Sequence, residues 1–589
     1  MKKNIFLISC VISIIILILS NCPVEQPSTT TTYQKINRSN SFSGTSPEIF
    51  HINTNTYTEL SYTLSNLNNN DVYYIFTNIS TSSDKKNPVV YKNNNQIEEN
   101  KSFSISKNRN IVSNSYIKDK EIVKEFNSNP EDFLNKHKSN SPIIEKRSNI
   151  LPPHPRKATV GEQKTFFNLN YNGGWSIEYI PSTCRFSQNI KGKNLNIYVA
   201  DDCWYIGGTK TYKVNDTMVA AMADKFLKAD TTNDIYTLIS GIYGSHWGLH
   251  NYPGFIPSSE EDNITILLYD IDNDNGNTTG GVVLGYFWAK DNYLNSELKK
   301  YTGLTEGGSN ECTMFYIDAC LFAKGDGLWD ITDNYPMQMI STLAHELQHM
   351  IHFYQKVIKN NLSKSSDVWL DEMCSLMAED FASEKIGFNG PRGIDYNDGT
   401  AGSPSNSNGR LPLYNNNNDD SVIVWLDGDD VLRSYSIVYS FGAYLARNFG
   451  GVKLFKNIVQ NPYINYLAIN SAFSSLGYSE TFSSCLQKWG AAVICSDQLT
   501  MSTGYSYNKG TWFTSTSDNT IDYNIGSINM FNYDPTPLIY ENYQEVGYSY
   551  YSSLKKSSNR YYKRASGFSG TLKDLIRLED TVRLTVVVK

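Results

Sequence analysis

At 589 residues the chain is too long for one ordinary domain, and the usual size prior gives roughly three or four. Acidic residues outnumber basic ones, 59 to 52, for a net charge of −7, so there is no basic field of the kind that recruits nucleic acid. Nucleic acid is thereby excluded as a partner, while the length leaves room for a sizeable core.

The first 22 residues read as an address. Lys2 and Lys3 precede an almost unbroken apolar run from Ile5 to Leu19, about 15 residues, short for a spanning helix and right for a signal-peptide core. Leu19-Ser20-Asn21-Cys22 resembles the bacterial lipobox, with Asn21 where Gly or Ala is usual. That resemblance implies cleavage before Cys22, its acylation, and an exported lipoprotein anchored to a bacterial membrane at the cell envelope or surface. Cysteine usage agrees with export. Beyond Cys10 and Cys22, six cysteines fall in sequence-near pairs, Cys184 with Cys203, Cys312 with Cys320 and Cys485 with Cys495, which are disulfide candidates in an oxidising compartment. Cys374 is left over as a buried thiol.

Residues 23–117 are rich in Asn, Ser, Thr and Lys, with short apolar bursts such as Asp71 to Phe76. They read as low-complexity sequence around a small β-rich module. Residues 118–157 are charged, contain Pro130, Pro142, Pro152, Pro153 and Pro155, and read as a linker or a pro-segment. From 158 to 500 the character is mixed α and β. Leu195 to Ala200, Ile264 to Asp270 and Met314 to Asp318 are predicted strands, the second continuous enough for burial on both faces. Asn215 to Lys228 is a predicted helix capped by Asn215 or Asp216, and Pro336 opens a long helix from inside its first turn. Further helices are predicted over 434–449, 453–460 and 480–492. Residues 501–589 are Tyr-rich and end in the alternating Val582 to Val588, a β-rich C-terminal region. The fold class is α+β.

The long helix carries His345-Glu346-Leu347-Gln348-His349. Positions four apart share a helix face, so His345 and His349 can aim ring nitrogens at one ion, with Glu346 beside them as general base for a water attacking a peptide carbonyl. With 8 histidines in the chain, such a motif is expected by chance only about 0.005 times. It also falls inside the helical apolar pattern of Met339, Leu343, Leu347, Met350 and Phe353. A longer three-histidine pattern would need glycine at 352 and histidine at 355, and is excluded. His352 lies too far along the same straight helix to share the ion and reads as packing or as a contact behind the ligands. The next predicted helix, from near Asp367, offers Glu372 and Glu379 on one face, either of which could complete two histidines and a carboxylate.

The spacing from His345-Glu-Leu-Gln-His349 to Trp369-Leu-Asp-Glu372 resembles the gluzincin clan. Together with Leu267-Leu-Tyr-Asp-Ile-Asp272 and Gly285-Tyr-Phe-Trp-Ala-Lys-Asp291, it resembles the hyicolysin-type metalloproteases over about 160–500. The resemblance implies a zincin-like fold, one Zn2+ on His345, His349 and Glu372, and Glu346 as the catalytic base. Thermolysin-like gluzincins place an Asp four residues after the ligand Glu to orient a ligand histidine; that position is Leu376 here, which leaves the role to Glu379 or Asp380. No histidine follows His352, so a tyrosine hydroxyl is the natural donor to the transition state. Tyr439 is the preferred candidate and Tyr435 the second.

Two weaker signals complete the reading. His246 and His250 are four apart, but Gly248 and Pro253 argue against a helix there. Asp270-Ile-Asp272-Asn-Asp274-Asn-Gly276 imitates the start of a calcium loop, with its Gly one place late and no closing Glu, so Ca2+ stands as a secondary cofactor candidate. The function expected is a zinc endopeptidase acting on proteins or peptides. The alternative is an inactive binding or adhesion lipoprotein on the same scaffold, against which the intact Glu346 argues.

Overall fold

The computed structural model describes residues 32–92, 120–139, 157–278, 282–388, 390–392, 409–533 and 553–589. Cys22 and the signal segment lie outside them. The described chain is mixed α and β, built on two six-stranded sheets with helices between them in sequence.

The chain enters through β1 (Gln34–Ser41), β2 (Glu48–Ile52), β3 (Thr58–Asn78) and β4 (Val89–Lys92). In β3 Leu60, Tyr62 and Leu64 are buried at every second position, the period of a strand with one face on a core. Two short helices follow, α1 (Glu121–Ser128) and α2 (Pro130–Lys136), inside the stretch read as a linker or a pro-segment. Val123, Phe126, Phe133 and Leu134 are buried against the rest of the molecule, and their helical spacing gave enough apolar surface to dock a segment whose prolines and charges suggested a tether.

The second sheet has the order β5-β6-β7-β8-β10-β9, from β5 (Gln163–Tyr171), β6 (Trp175–Ile190), β7 (Lys193–Ala200), β8 (Asn263–Tyr269), β9 (Gly285–Phe287) and β10 (Met314–Asp318). β7, β8 and β10 run parallel, and the outermost β9 is antiparallel to β10. Every residue of β8 and β10 is buried, as strands covered on both faces require. Between β7 and β8, α3 (Asp216–Phe226) is capped by Asn215, whose side chain accepts from the Met218 amide at 3.1 Å. α4 (Ile235–Tyr243) follows it.

The motif helix α5 (Asn334–Phe353) continues through a wider turn over Tyr354–Lys359 into α6 (Val368–Ile386), which packs along it. α5 lies against the edge strand because residue 285 is glycine. A Cβ there would stand 2.7 Å from the Tyr316 carbonyl oxygen and 2.9 Å from Thr342 Cγ2 of α5. α7 (Val431–Asn448) covers the other side of α6, and α8 (Phe482–Ile494) follows with a capping box at Thr481 and Ser484.

The last strands, β11 (Ser558–Leu578) and β12 (Val582–Val588), return to the first sheet and pair antiparallel with β3 on either side of it. The modules expected at the two ends of the chain are thus one sheet. Its rear packs on α8, where a Cβ on Gly490 would lie 2.8 Å from Ile75 Cγ2, and where Asn559 Nδ2 donates to the Leu486 carbonyl at 2.9 Å.

None of the sequence-near cysteine pairs is bonded: all seven described cysteines are free and buried. Cys203 instead meets Cys320, a member of a different expected pair, because β7 and β10 end on the same side of the sheet.

Candidate metal centre

His345 and His349 sit one turn apart on α5, with ring centroids 4.7 Å apart and planes at 75°. Glu372, four residues into α6, reaches between them. Its Oε2 lies 3.1 Å from His345 Nε2 and 3.6 Å from His349 Nε2. One ligand atom from each of the three residues lies within 4.8 Å of the others, the only such His, Cys, Asp or Glu group among the described residues.

The far nitrogens of both rings are also held. His345 Nδ1 is 2.9 Å from Glu379 Oε1, and Glu379 is itself fixed by the Ser341 hydroxyl. His349 Nδ1 is 3.1 Å from Asp371 Oδ1. Glu379, an alternative ligand by spacing, therefore faces the back of His345 rather than the space between the rings. Asp371 was not anticipated in this role, although its place one residue before Glu372 puts it on the neighbouring helix face. Ligand histidines typically hand their second nitrogen to such a carboxylate.

The electrostatics fit a divalent cation. Burial opposes charge on His345, yet hydrogen bonds to Glu372 and Glu379 outweigh it and hold the imidazole up at about 9. Burial likewise disfavours a charged His349, and the charges of Asp371 and Glu372 overcome it, raising the group well above its ordinary range. For Glu372 burial pulls upward, but Lys124 and His349 dominate and hold its carboxyl well below the usual range. The pocket thus draws positive charge onto two imidazoles by default, and a divalent ion displaces those protons when it binds such ligands. The donor set of two imidazole nitrogens and one carboxylate suits zinc with a position left open.

Glu346 lies beside the pair. Its Oε2 accepts from the Phe287 amide of β9 at 2.7 Å, which couples the base to the sheet edge. Burial raises its carboxyl above the ordinary value.

The two tyrosines of α7 part company. Tyr435 lines the cleft with His345, Glu346, His349 and Glu372, its ring centroid 6.4 Å from that of His345. Tyr439, one turn further on, is fully buried beside Asp380, Arg447 and Arg392 and does not line the cleft. Its hydroxyl has no hydrogen-bond partner among the described residues. Asp380 is engaged instead by Arg447 at 3.3 Å and Arg392 at 3.4 Å. His352 is buried on Ser366 Oγ at 2.8 Å and on Asp371 Oδ1 at 3.0 Å, behind His349 and away from the space between the ligand rings.

The weaker signals resolve into structural contacts. His246 bonds Tyr236 and the Asn263 carbonyl, and His250 the Ile256 carbonyl. In the loop after β8, Lys210 Nζ sits 2.8 Å from Asp270 Oδ2, and Asp274 accepts from the amides of Gly276 and Asn277. Asp270 is thus paired with an ammonium group, and the loop's carboxylates do not form a metal-ligand group among the described residues.

Comparison with known proteins gives the family and the broad class of the chain. The model of the family described as Peptidase M30 matches residues 185–589, a span that includes the motif, both sheets in part and the C-terminal strands. Neutral metalloprotease ShpI of Staphylococcus hyicus is 29% identical over 278 residues, covering 46% of this chain and 49% of that protein. The match thus spans about half the length of this relative.

Proposed function

The chain belongs to the Peptidase M30 family, and from that premise we propose that it is a zinc-dependent endopeptidase of zincin-like architecture that hydrolyses peptide bonds in proteins. The observation that carries the reading is the convergence of His345 Nε2, His349 Nε2 and a Glu372 oxygen on one point, with Glu346 alongside. The metalloprotease named among its relatives supports the same class of chemistry.

A zinc ion held by these three residues would acidify water and polarise the scissile carbonyl. Glu346 accepts the proton of the attacking water at a carboxylate oxygen and returns it to the leaving amine. Its anchorage to the Phe287 amide fixes that oxygen against the sheet edge. Tyr435 donates its hydroxyl to the oxyanion that develops as the carbonyl is attacked, while Glu379 and Asp371 keep the two imidazoles oriented. Residues at the chain's start support a secreted lipoprotein anchored through Cys22. Loss of labelled-palmitate incorporation in Cys22→Ser checks that part.

The direct test pairs zinc content with casein hydrolysis for the full chain and Glu346→Gln. Both proteins should hold about one zinc per chain, and the substitution should lower kcat by roughly 100-fold or more, the range in which general-base losses fall. Absence of zinc from the folded parent overturns the assignment. So does equal cleavage by Glu346→Gln.

A further inference from the structure

Helix α1 lies across the mouth of the centre. The Lys124 ammonium is 3.1 Å from Glu372 Oε1, on the oxygen opposite the one that faces the histidines. It donates to the Tyr435 hydroxyl at 2.8 Å and stands over the rings of Trp425 and Tyr435, 4.2 and 4.5 Å from their centroids. One turn on, Asn127 Nδ2 donates to the Phe287 carbonyl at 2.7 Å, and its Oδ1 accepts from the Ala289 amide at 2.8 Å. A carboxamide is the peptide group in side-chain form. Asn127 therefore fills, at the end of the outermost strand β9, the donor and acceptor places that the backbone of an extended chain would take when it adds to a sheet edge. The helix is fixed from behind by Phe126, whose ring meets Trp288 and Tyr293 edge-on, and by the Ser365 amide donating to the Ser128 carbonyl at 2.9 Å.

We propose that the segment 120–139 is a built-in inhibitor, in which Lys124 occupies the Glu372–Tyr435 side of the centre and Asn127 the substrate-strand position on β9. This rests on the zinc-peptidase reading. One helix that contributes no group to the chemistry sets a cation against the Tyr435 oxygen, beside the place of the oxyanion, and takes the β9 backbone positions needed by the substrate. The full chain is then a slow enzyme whose activity rises when α1 leaves the cleft.

The test compares the full chain with Lys124→Ala/Asn127→Ala. Two quantities are read: casein hydrolysis, and the half-time for 1,10-phenanthroline to withdraw the bound zinc. Inhibition by α1 predicts at least tenfold faster hydrolysis and at least tenfold faster withdrawal, with zinc content unchanged. Equal or lower values on both measures overturn the proposal, because a lysine that merely orients Glu372 would be needed for activity. Lys124→Gln, which keeps the length of the side chain near that of lysine, guards against a folding defect and should give the same direction. Glu346→Gln in both backgrounds separates the two readings. If cleavage persists in it, the peptidase assignment fails while the withdrawal rates still decide whether α1 shields the ion.

Discussion

Each imidazole of the centre is held at both nitrogens, and the outer contacts carry their own consequences. Glu379 fixes the tautomer and angle of His345 through a bond of 2.9 Å. Its replacement by Gln keeps the shape but weakens the acceptor, so zinc affinity should fall roughly 10- to 100-fold, measured by competition with a chromophoric chelator. The tyrosines make a sharper contrast. Tyr435→Phe removes a donor at the cleft and should lower kcat by roughly 100-fold with little change in KM. Tyr439→Phe removes a buried hydroxyl that has no partner among the described residues, so kcat should stay and stability should hold or rise by about 1 kcal/mol. Sequence periodicity placed both tyrosines on one helix face but could not say which turn of that face reaches the cleft. That depends on where α7 crosses α6, a fact of packing.

At the scale of elements, α5 was legible because everything that defines it is local: the apolar stripe, the proline in its first turn and the four-residue spacing of its histidines. Its distance from β9 was not, although the glycine that sets it stood in the sequence. Gly285→Ala should push α5 from the strand, costing about 1–3 kcal/mol as overpacking does and disturbing the Phe287 amide that holds Glu346. Thermal denaturation and kcat should therefore fall together, whereas an alanine in an exposed loop would alter neither. Helices α1 and α2 were missed for the opposite reason. Each is short and barely stable by itself, and what orders them is a surface made by residues far along the chain.

For the whole molecule, the sheet that joins residues 34–92 to 558–588 illustrates the same limit. Alternation identified the strands at both ends but not that they pair, since the partners lie about 500 residues apart in register such as Tyr62 with Asp574. A pH dependence follows from two histidines in different parts of the molecule, His51 half-buried and His246 buried. Burial, with Lys488 and Arg583 nearby, holds His51 down at about 4, and burial with Lys193 does the same for His246. Between pH 6.5 and 4 the unfolded chain takes up protons that the native one refuses, so their contribution is complete above pH 6.5 and is lost as pH falls. The urea midpoint should decline over that window, and His51→Gln/His246→Gln should flatten the slope.

The same sheet decides what a backbone cut would mean. β3 is bonded to β11 and β12 along its length, so a single nick between residues 92 and 120 divides the polypeptide without dividing the molecule. The front fragment stays clasped to the rear one by strand pairing and by the packing of Ile75 on α8. A membrane attachment at the chain's start would thus survive proteolysis that frees α1. On the proposals of a lipid anchor and an inhibitory α1, activation and release from the surface would be separate events, the first needing cuts on both sides of one helix and the second the unzipping of a sheet.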